Sequence, residues 1–259
     1  MNTALFMYVL VAVFGAAIGS FLNVCISRLP EGASLVFPAS HCPLCDHPIR
    51  YSDNIPVISY LILRGRCRHC REKIRIRYPV VEVLTAVLAA LLFRKFGLSP
   101  TFVLSFIFTC ALIVITFIDL DLQIIPDVIT LPGIPFFSLA AVFFMGLSFL
   151  DVALGILFGG GVLYAVAFGY ERLTGREGMG GGDIKLLAML GAFLGAKSLI
   201  FIVLVSSLTG AVVGTVLILA KGKDMKYAVP FGPFLSLGAV AYIFFGDYVT
   251  WWFLAHYGR

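Results

Sequence analysis

Long apolar runs separated by short polar stretches set the plan of this 259-residue chain. Residues 1–27 carry no charge, and further uncharged runs cover 98–118, 128–150, 152–170 and 198–220. Another runs from 227 to 246 and resumes after Asp247. Each is long enough, or nearly so, to cross about 30 Å of hydrocarbon as an α-helix. The stretch 79–93 holds one charge, Glu82, and reads as a span if it extends through Phe96. The run 186–196 is short and interrupted by glycine. It predicts a short or partial helix, and whether 184–197 spans fully stays open. The pattern gives seven or eight helices, and eight is the count adopted. The first run has no Lys or Arg before Arg28 and is long for a cleaved leader, so a retained helix is expected.

Composition agrees with that pattern. The chain is 60% hydrophobic and 13% charged, with a mean hydropathy of +1.01, a balance that excludes an ordinary soluble domain. Charge placement then orients the spans. Residues 27–78 hold nine Lys and Arg, 171–185 hold three and 221–227 hold three, all on one side of an eight-span arrangement. The other side holds only Arg94, Lys95, Lys197 and Arg259. The basic side is therefore expected to be cytoplasmic, with both termini outside. The net charge of +5 is assigned to topology and contact with the lipid bilayer, and no nucleic-acid partner is expected.

Residues 27–78 are the one sizeable polar segment. They contain Cys42-Pro-Leu-Cys45 and Cys67-Arg-His-Cys70, two knuckle-like pairs that together supply four thiolates for a tetrahedral site. Zinc is the natural ion for such a set, one per chain, in a structural role that supplies folding energy to a segment too small for a secure core. The competing reading is two disulfides, which a cytoplasmic location disfavours. His41, His47 and His69 lie near enough in sequence to replace one ligand. Cys25 and Cys110 fall in apolar runs and are expected to be small core residues. Arg64 to Arg77 is strongly basic, which fits either lipid headgroups or an acidic ligand.

Two segments carry the candidate chemistry. One is Phe-Ile-Asp-Leu-Asp-Leu-Gln-Ile-Ile-Pro-Asp at 117–127, and the other is Gly-Met-Gly-Gly-Gly-Asp-Ile-Lys at 178–185. Carboxylates at the edge of apolar helices are costly and usually functional. Asp119 follows an unbroken apolar run, Asp121 is expected to be more exposed, and Asp127 can cap the helix beginning near Val128. Asp183 follows three glycines, which permit close backbone approach to a substrate strand. For any single aspartate here the competing reading is helix capping or interfacial solvation. As a pair they can share one proton, bind a water and act as an aspartyl protease.

The chain resembles the type IV prepilin peptidases, bifunctional leader peptidases and N-methyltransferases, over nearly its full length. The resemblance rests on Gly19-Ser-Phe-Leu-Asn-Val-Cys-Ile-Ser-Arg-Leu-Pro30, the paired CxxC motifs and Arg77-Tyr-Pro-Val-Val-Glu82. It continues through the Asp119 to Asp127 segment, Gly-Gly-Gly-Asp183-Ile-Lys185 and Pro230-Phe-Gly-Pro-Phe234. It implies an all-α polytopic membrane protein of about eight helices with a small cytoplasmic zinc-binding insertion, of the GxGD-type intramembrane aspartyl protease class. The implied divisions are a first helix at 1–26, a zinc-binding, methyltransferase-associated segment at 27–78 and a transmembrane peptidase domain at 79–259. The implied catalytic pair is Asp119 and Asp183, with Gly180, Gly181, Gly182 and Lys185 forming the loop beside the substrate. The substrate is a type IV prepilin or secretion pseudopilin, cut after its basic leader at the cytoplasmic face of the cell inner membrane. Its new amino terminus, typically Phe, is then methylated from S-adenosylmethionine.

The methyl-donor pocket is less legible. No GxGxxG follows a predicted strand, so the pocket is not a Rossmann unit. Asn23, Arg28 and Glu82 are the candidate polar groups from the matched motifs. Glu82 either orients or deprotonates the substrate amine, or forms a structural bridge with Arg28 or Arg77. Three other readings compete, one of them a zinc-stabilised membrane scaffold, which leaves the two acidic motifs unexplained. A presenilin-like protease lacks a place for the paired CxxC insertion. A proton-coupled transporter predicts acids at the bilayer midplane and an internal repeat.

Overall fold

A computed structural model describes residues 3–174, 180–221 and 229–257. Gly178 and Met179 of the second acidic motif, together with Arg176, Glu177, Lys223 and Lys226, lie outside the described residues. Among those described, the architecture is helical, with α1 (Thr3–Arg28), α2 (Ile58–Ile62), α3 (Arg77–Phe96), α4 (Pro100–Leu122) and α5 (Asp127–Phe144). These are followed by α6 (Phe149–Ile156), α7 (Leu163–Thr174), α8 (Gly181–Leu194), α9 (Ala196–Lys221) and α10 (Gly232–Tyr257). Five stretches among the described residues are long and apolar enough to cross a membrane: Ala4–Arg28, Pro100–Leu122, Asp127–Phe144, Phe149–Leu173 and Ala196–Ala220. The chain forms two compact units, Met1–Val114 and Ile115–Arg259.

In the first unit, α1 packs against α3 through Gly15 and Gly19, one turn apart. A Cβ at Gly15 would lie 2.9 Å from the Ala86 Cα, and one at Gly19 would lie 2.7 Å from the Glu82 Cα. Apolar side chains give helices in lipid no hydrophobic reason to associate, so small residues that permit backbone contact supply the packing. The aromatic side chains Phe93, Phe102 and Phe106 extend that interface, with ring centroids 6.0 and 6.1 Å apart. The polar insertion between α1 and α3 has two short helical turns, Tyr51–Asn54 and α2, and otherwise irregular backbone. Arg68 clasps Asp53 across it with two bonds, Nε to Oδ2 at 2.8 Å and Nη2 to Oδ1 at 2.6 Å. The guanidinium holds the Asp53 carboxyl below the usual carboxylate range.

The second unit is built around α8. This helix has 14 residues, and at about 1.5 Å per residue it is shorter than the hydrocarbon layer. It is apolar on all sides and correspondingly enclosed: Leu186 to Phe193 are all buried. The segment from α6 to α7 lays a row of glycines across it. Gly155 meets the Gly191 backbone, Gly159 meets the Leu187 carbonyl, and a Cβ at Gly160 would lie 2.9 Å from the Ala188 Cβ. Between α6 and α7 the backbone widens into a π-helical turn at Leu157–Val162, which holds Gly159, Gly160 and Gly161. On its other side α8 receives α5, and a Cβ at Gly133 would lie 2.5 Å from the Met189 Sδ. Gly195, at φ +80°, ends α8, and Asp151 accepts a hydrogen bond from the Ala196 N–H at the start of α9.

These contacts predict a sharp difference between two Gly→Ala changes. Gly191→Ala overpacks the α6–α8 crossing and should cost about 1–3 kcal/mol. Gly214→Ala, in α9, meets nothing within 4 Å and should leave stability unchanged or slightly raised. Thermal midpoints of the two variants in detergent check this; equal midpoints would contradict the packing described.

Candidate functional site

The first candidate aspartate ends a buried helix. Asp119 sits in the last turn of α4 and is 5% exposed, while Asp121 is exposed. Gln123, at φ +57°, stops the helix, and its N–H returns to the Asp119 carbonyl. Ile124, Ile125 and Pro126 then lead directly into α5. Pro126 occupies the cap position, with no side-chain cap bond. The sequence suggested Asp127 as the cap; it is instead the first helical residue, where its charge suits the helix dipole. Its carboxylate serves another element: Lys185 Nζ lies 2.8 Å from both Asp127 oxygens. The pair links the segment after Asp119 to the helix that carries the second aspartate. Both side chains are substantially exposed, so the bond contributes little to stability.

The second candidate, Asp183, lies in the first turn of α8. Gly180 is the helix cap, and the Asp183 N–H bonds its carbonyl at 3.1 Å. Gly180 and Gly181 are exposed, and Gly182 and Asp183 are partly buried. Gly182 packs on Ile125, so closely that a Cβ there would lie 2.8 Å from the Ile125 Cβ. Asp183 directly follows that contact, and Ile125 lies six residues after Asp119. The carboxylates of α4 and α8 thus share one locality in the second unit.

A third segment reaches the same place. The Gly232 N–H, at the start of α10, donates to Asp119 Oδ2 at 3.0 Å. A Cβ on Gly232 would lie 2.6 Å from that oxygen and 3.2 Å from the Ile125 Cδ1. Nothing in the Pro230-Phe-Gly-Pro-Phe234 stretch itself assigns it this contact. A glycine between prolines at the head of an apolar run was the available signal.

In the first unit the four expected metal-ligand cysteines converge. The Sγ atoms of Cys42, Cys45, Cys67 and Cys70 all lie within 4.8 Å of one another, and all four thiols are free. The two knuckles are near-copies. Cys42 N–H bonds the His47 carbonyl and Asp46 N–H bonds the Cys42 carbonyl; Cys67 pairs with Glu72 and Arg71 in the same way. Asp46 and Arg71, each four residues after the first cysteine, both take φ near +60°, at 56° and 60°. Backbone N–H groups of Cys70 and then His69 pull the Cys67 thiol down to about 7. Clustered thiols, one of them readily ionised at neutral pH, fit a soft divalent metal ion. His47 and His69 face each other beside the cluster, with ring centroids 3.4 Å apart.

The remaining candidates do not form one cluster. Asn23 is 2% exposed; its Nδ2 donates to the Gly19 and Tyr78 carbonyls, and its buried Oδ1 has no partner. Glu82, also buried, accepts from the Val57 N–H at 2.7 Å and from the Ser20 hydroxyl. Val57 is β-branched yet sits at φ +61°, a costly backbone state that the carboxylate bond helps to hold. Arg28 points elsewhere, donating to the Ser34 and Pro38 carbonyls at 2.8 and 2.7 Å.

Comparison with known proteins places both regions. Residues 13–96 match the bacterial peptidase A24 N-terminal domain, which takes in all four clustered cysteines. Residues 106–215 match the type IV leader peptidase family, which takes in both aspartates but stops short of Gly232. A prepilin leader peptidase/N-methyltransferase of Aeromonas hydrophila is 39% identical, with 96% of this chain and 94% of that protein aligned. The one from Neisseria gonorrhoeae is 39% identical over 95% and 94%, and the one from Pseudomonas aeruginosa PAO1 is 36% identical over 91% and 89%. No solved structure matches the chain significantly. The chain belongs to the prepilin leader peptidase/N-methyltransferase family.

Proposed function

We propose that this integral membrane protein cleaves the leader from type IV prepilins with Asp119 and Asp183, and then methylates the new amino terminus. The family supplies the two activities. The observation that carries the assignment to residues is the convergence on Ile125 of Gly182, next to Asp183, and Gly232, whose N–H bonds the buried Asp119.

In this mechanism the two carboxylates act as a pair that carries one proton, since like charges in a partly dry site disfavour joint ionisation. The ionised member takes a proton from a bound water, which attacks the scissile carbonyl carbon. The protonated member donates to the carbonyl oxygen. The tetrahedral intermediate collapses by breaking the C–N bond, and the amine leaves with a proton from the dyad. The leader departs as a carboxylate, and the mature pilin keeps a free amino terminus. Exposed Gly180 and Gly181 border the site and suit an extended substrate backbone.

In this reading the chain passes the inner membrane eight times, through α1, α3, α4, α5, the α6–α7 unit, α8, α9 and α10, with the short α8 enclosed by its neighbours and not exposed to lipid. Basic loops and both aspartates then fall on the cytoplasmic side and both termini on the periplasmic side. A prepilin has its own apolar helix just beyond the cut, which brings the scissile bond to that face. Zinc, held by Cys42, Cys45, Cys67 and Cys70, stabilises the insertion. The methyl donor, S-adenosylmethionine, supplies an electrophilic methyl group. Asn23 fits it best: its buried Oδ1 lacks a donor that an amino group would provide. Glu82 braces the insertion through Val57, and Arg28 braces the loop at 34–38.

Three outcomes follow. Asp119→Asn and Asp183→Asn should each lower leader cleavage at least about a thousandfold, while methylation of an already processed pilin persists. Mass spectrometry of prepilin incubated with each variant reads both. A Cβ at Gly181 meets nothing within 4 Å, so Gly181→Leu should leave the fold intact and slow cleavage by obstructing the substrate strand; unchanged turnover sinks that role. Elemental analysis should find one zinc per chain, lost in the paired Cys45→Ser, Cys70→Ser variant together with protection of the insertion from trypsin.

A further inference from the structure

The head of α10 presents a single unsatisfied donor to the second unit. The first residues of any helix have N–H groups with no partner inside the helix. Here the sequence Phe231-Gly-Pro-Phe-Leu235 removes all but one. Pro233 has no N–H. The N–H groups of Phe234 and Leu235 both bond the Phe231 carbonyl, at 3.0 and 3.1 Å. The remaining N–H, that of Gly232, goes to Asp119 Oδ2 at 3.0 Å in a buried setting. It lies at the positive end of a 26-residue helix, where a donor to a carboxylate is strongest.

The residue at this point has to be glycine. A Cβ would fall 2.6 Å from Asp119 Oδ2 and would also press on Ile125. Ile125 in turn packs against Gly182, next to Asp183. The start of α10, the turn after α4 and the start of α8 are therefore fitted to each other through one isoleucine and two glycines. The two carboxylates are not treated alike. Asp119 has a fixed backbone donor, whereas the Asp183 side chain has no hydrogen-bond donor among the described residues.

We infer that Gly232 is a positioning residue of the peptidase: its backbone N–H holds Asp119 in the orientation that meets Asp183, and the Pro230–Phe234 segment is a third component of the protease site. This inference rests on the aspartate-dyad reading above. The segment lies beyond the residues matched by the leader peptidase family, which end at 215.

The test compares full-length Gly232→Ala with the unmutated enzyme, Asp119→Asn and Asp183→Asn in detergent. Leader cleavage of a prepilin, methylation of a processed pilin and the thermal midpoint are measured on each. Misplacing a reacting group by about an ångström costs about a hundredfold in rate. Gly232→Ala should therefore lose about a hundredfold in the kcat of cleavage, with KM, methylation and midpoint retained. A second variant, Pro230→Gly, adds no atoms near Asp119 but loosens the segment. It should lose about tenfold in kcat by the same misplacement. Unchanged kcat in Gly232→Ala, or a change confined to KM, overturns the inference. If Gly232→Ala loses both activities and its midpoint, Pro230→Gly decides: a selective kcat loss upholds the role, and unchanged cleavage or loss of everything overturns it. Cleavage by Asp119→Asn or Asp183→Asn instead removes the dyad reading itself.

Discussion

Removing a carboxylate from water costs several kcal/mol unless donors replace the lost hydration. Asp119, 5% exposed near the end of an apolar helix, faces that cost directly. The protein meets it with one backbone N–H, contributed by a helix that begins 113 residues later in the chain. Much else in the second unit follows from keeping that donor and the second carboxylate in place. Gly232 has to lack a side chain, Ile125 has to fill the space between Gly232 and Gly182, and α8 has to start where Gly182 meets Ile125.

The depth of α8 is fixed by backbone contact rather than by side-chain bulk. Gly155 on Gly191 and Gly159 on the Leu187 carbonyl leave no slack along the helix. A short, fully enclosed helix of this kind is a stable platform for a residue at its exposed end. The Lys185–Asp127 pair adds a polar tie between α8 and α5. In the first unit a comparable division holds. Gly15 and Gly19 set the approach of α1 to α3, and Glu82 ties the polar insertion to that pair by its bond to a strained Val57. The clustered thiols organise the rest of the insertion, which has few buried apolar residues of its own.

The apolar runs foretold the long helices well, because each run must hide its backbone polar groups inside a helix. The CxxC spacing foretold the thiol cluster, since a knuckle is a local structure. Asp119 was legible as the deep aspartate from the unbroken run before it. Relations between distant segments were less accessible. Nothing local to Asp127 indicates that its carboxylate goes to Lys185 rather than to its own helix end. Glu82 was expected to orient an amine or to pair with Arg28 or Arg77, and its bonds to the Val57 N–H and Ser20 depend on how the insertion folds back. The Gly232 donor was hidden for the same reason: a backbone N–H has no signature in sequence, and only the prolines around it marked the place.

The central claim is that the two aspartates activate a water and do not themselves attack the peptide bond. The most direct measurement is a single turnover in water enriched in oxygen-18, with excess enzyme over prepilin, followed by mass analysis of the released leader. Attack by activated water places one heavy oxygen in the leader's new carboxylate on the first turnover. A leader released with only ordinary oxygen would mean that an enzyme carboxylate had supplied the atom, and the general-base account would be wrong.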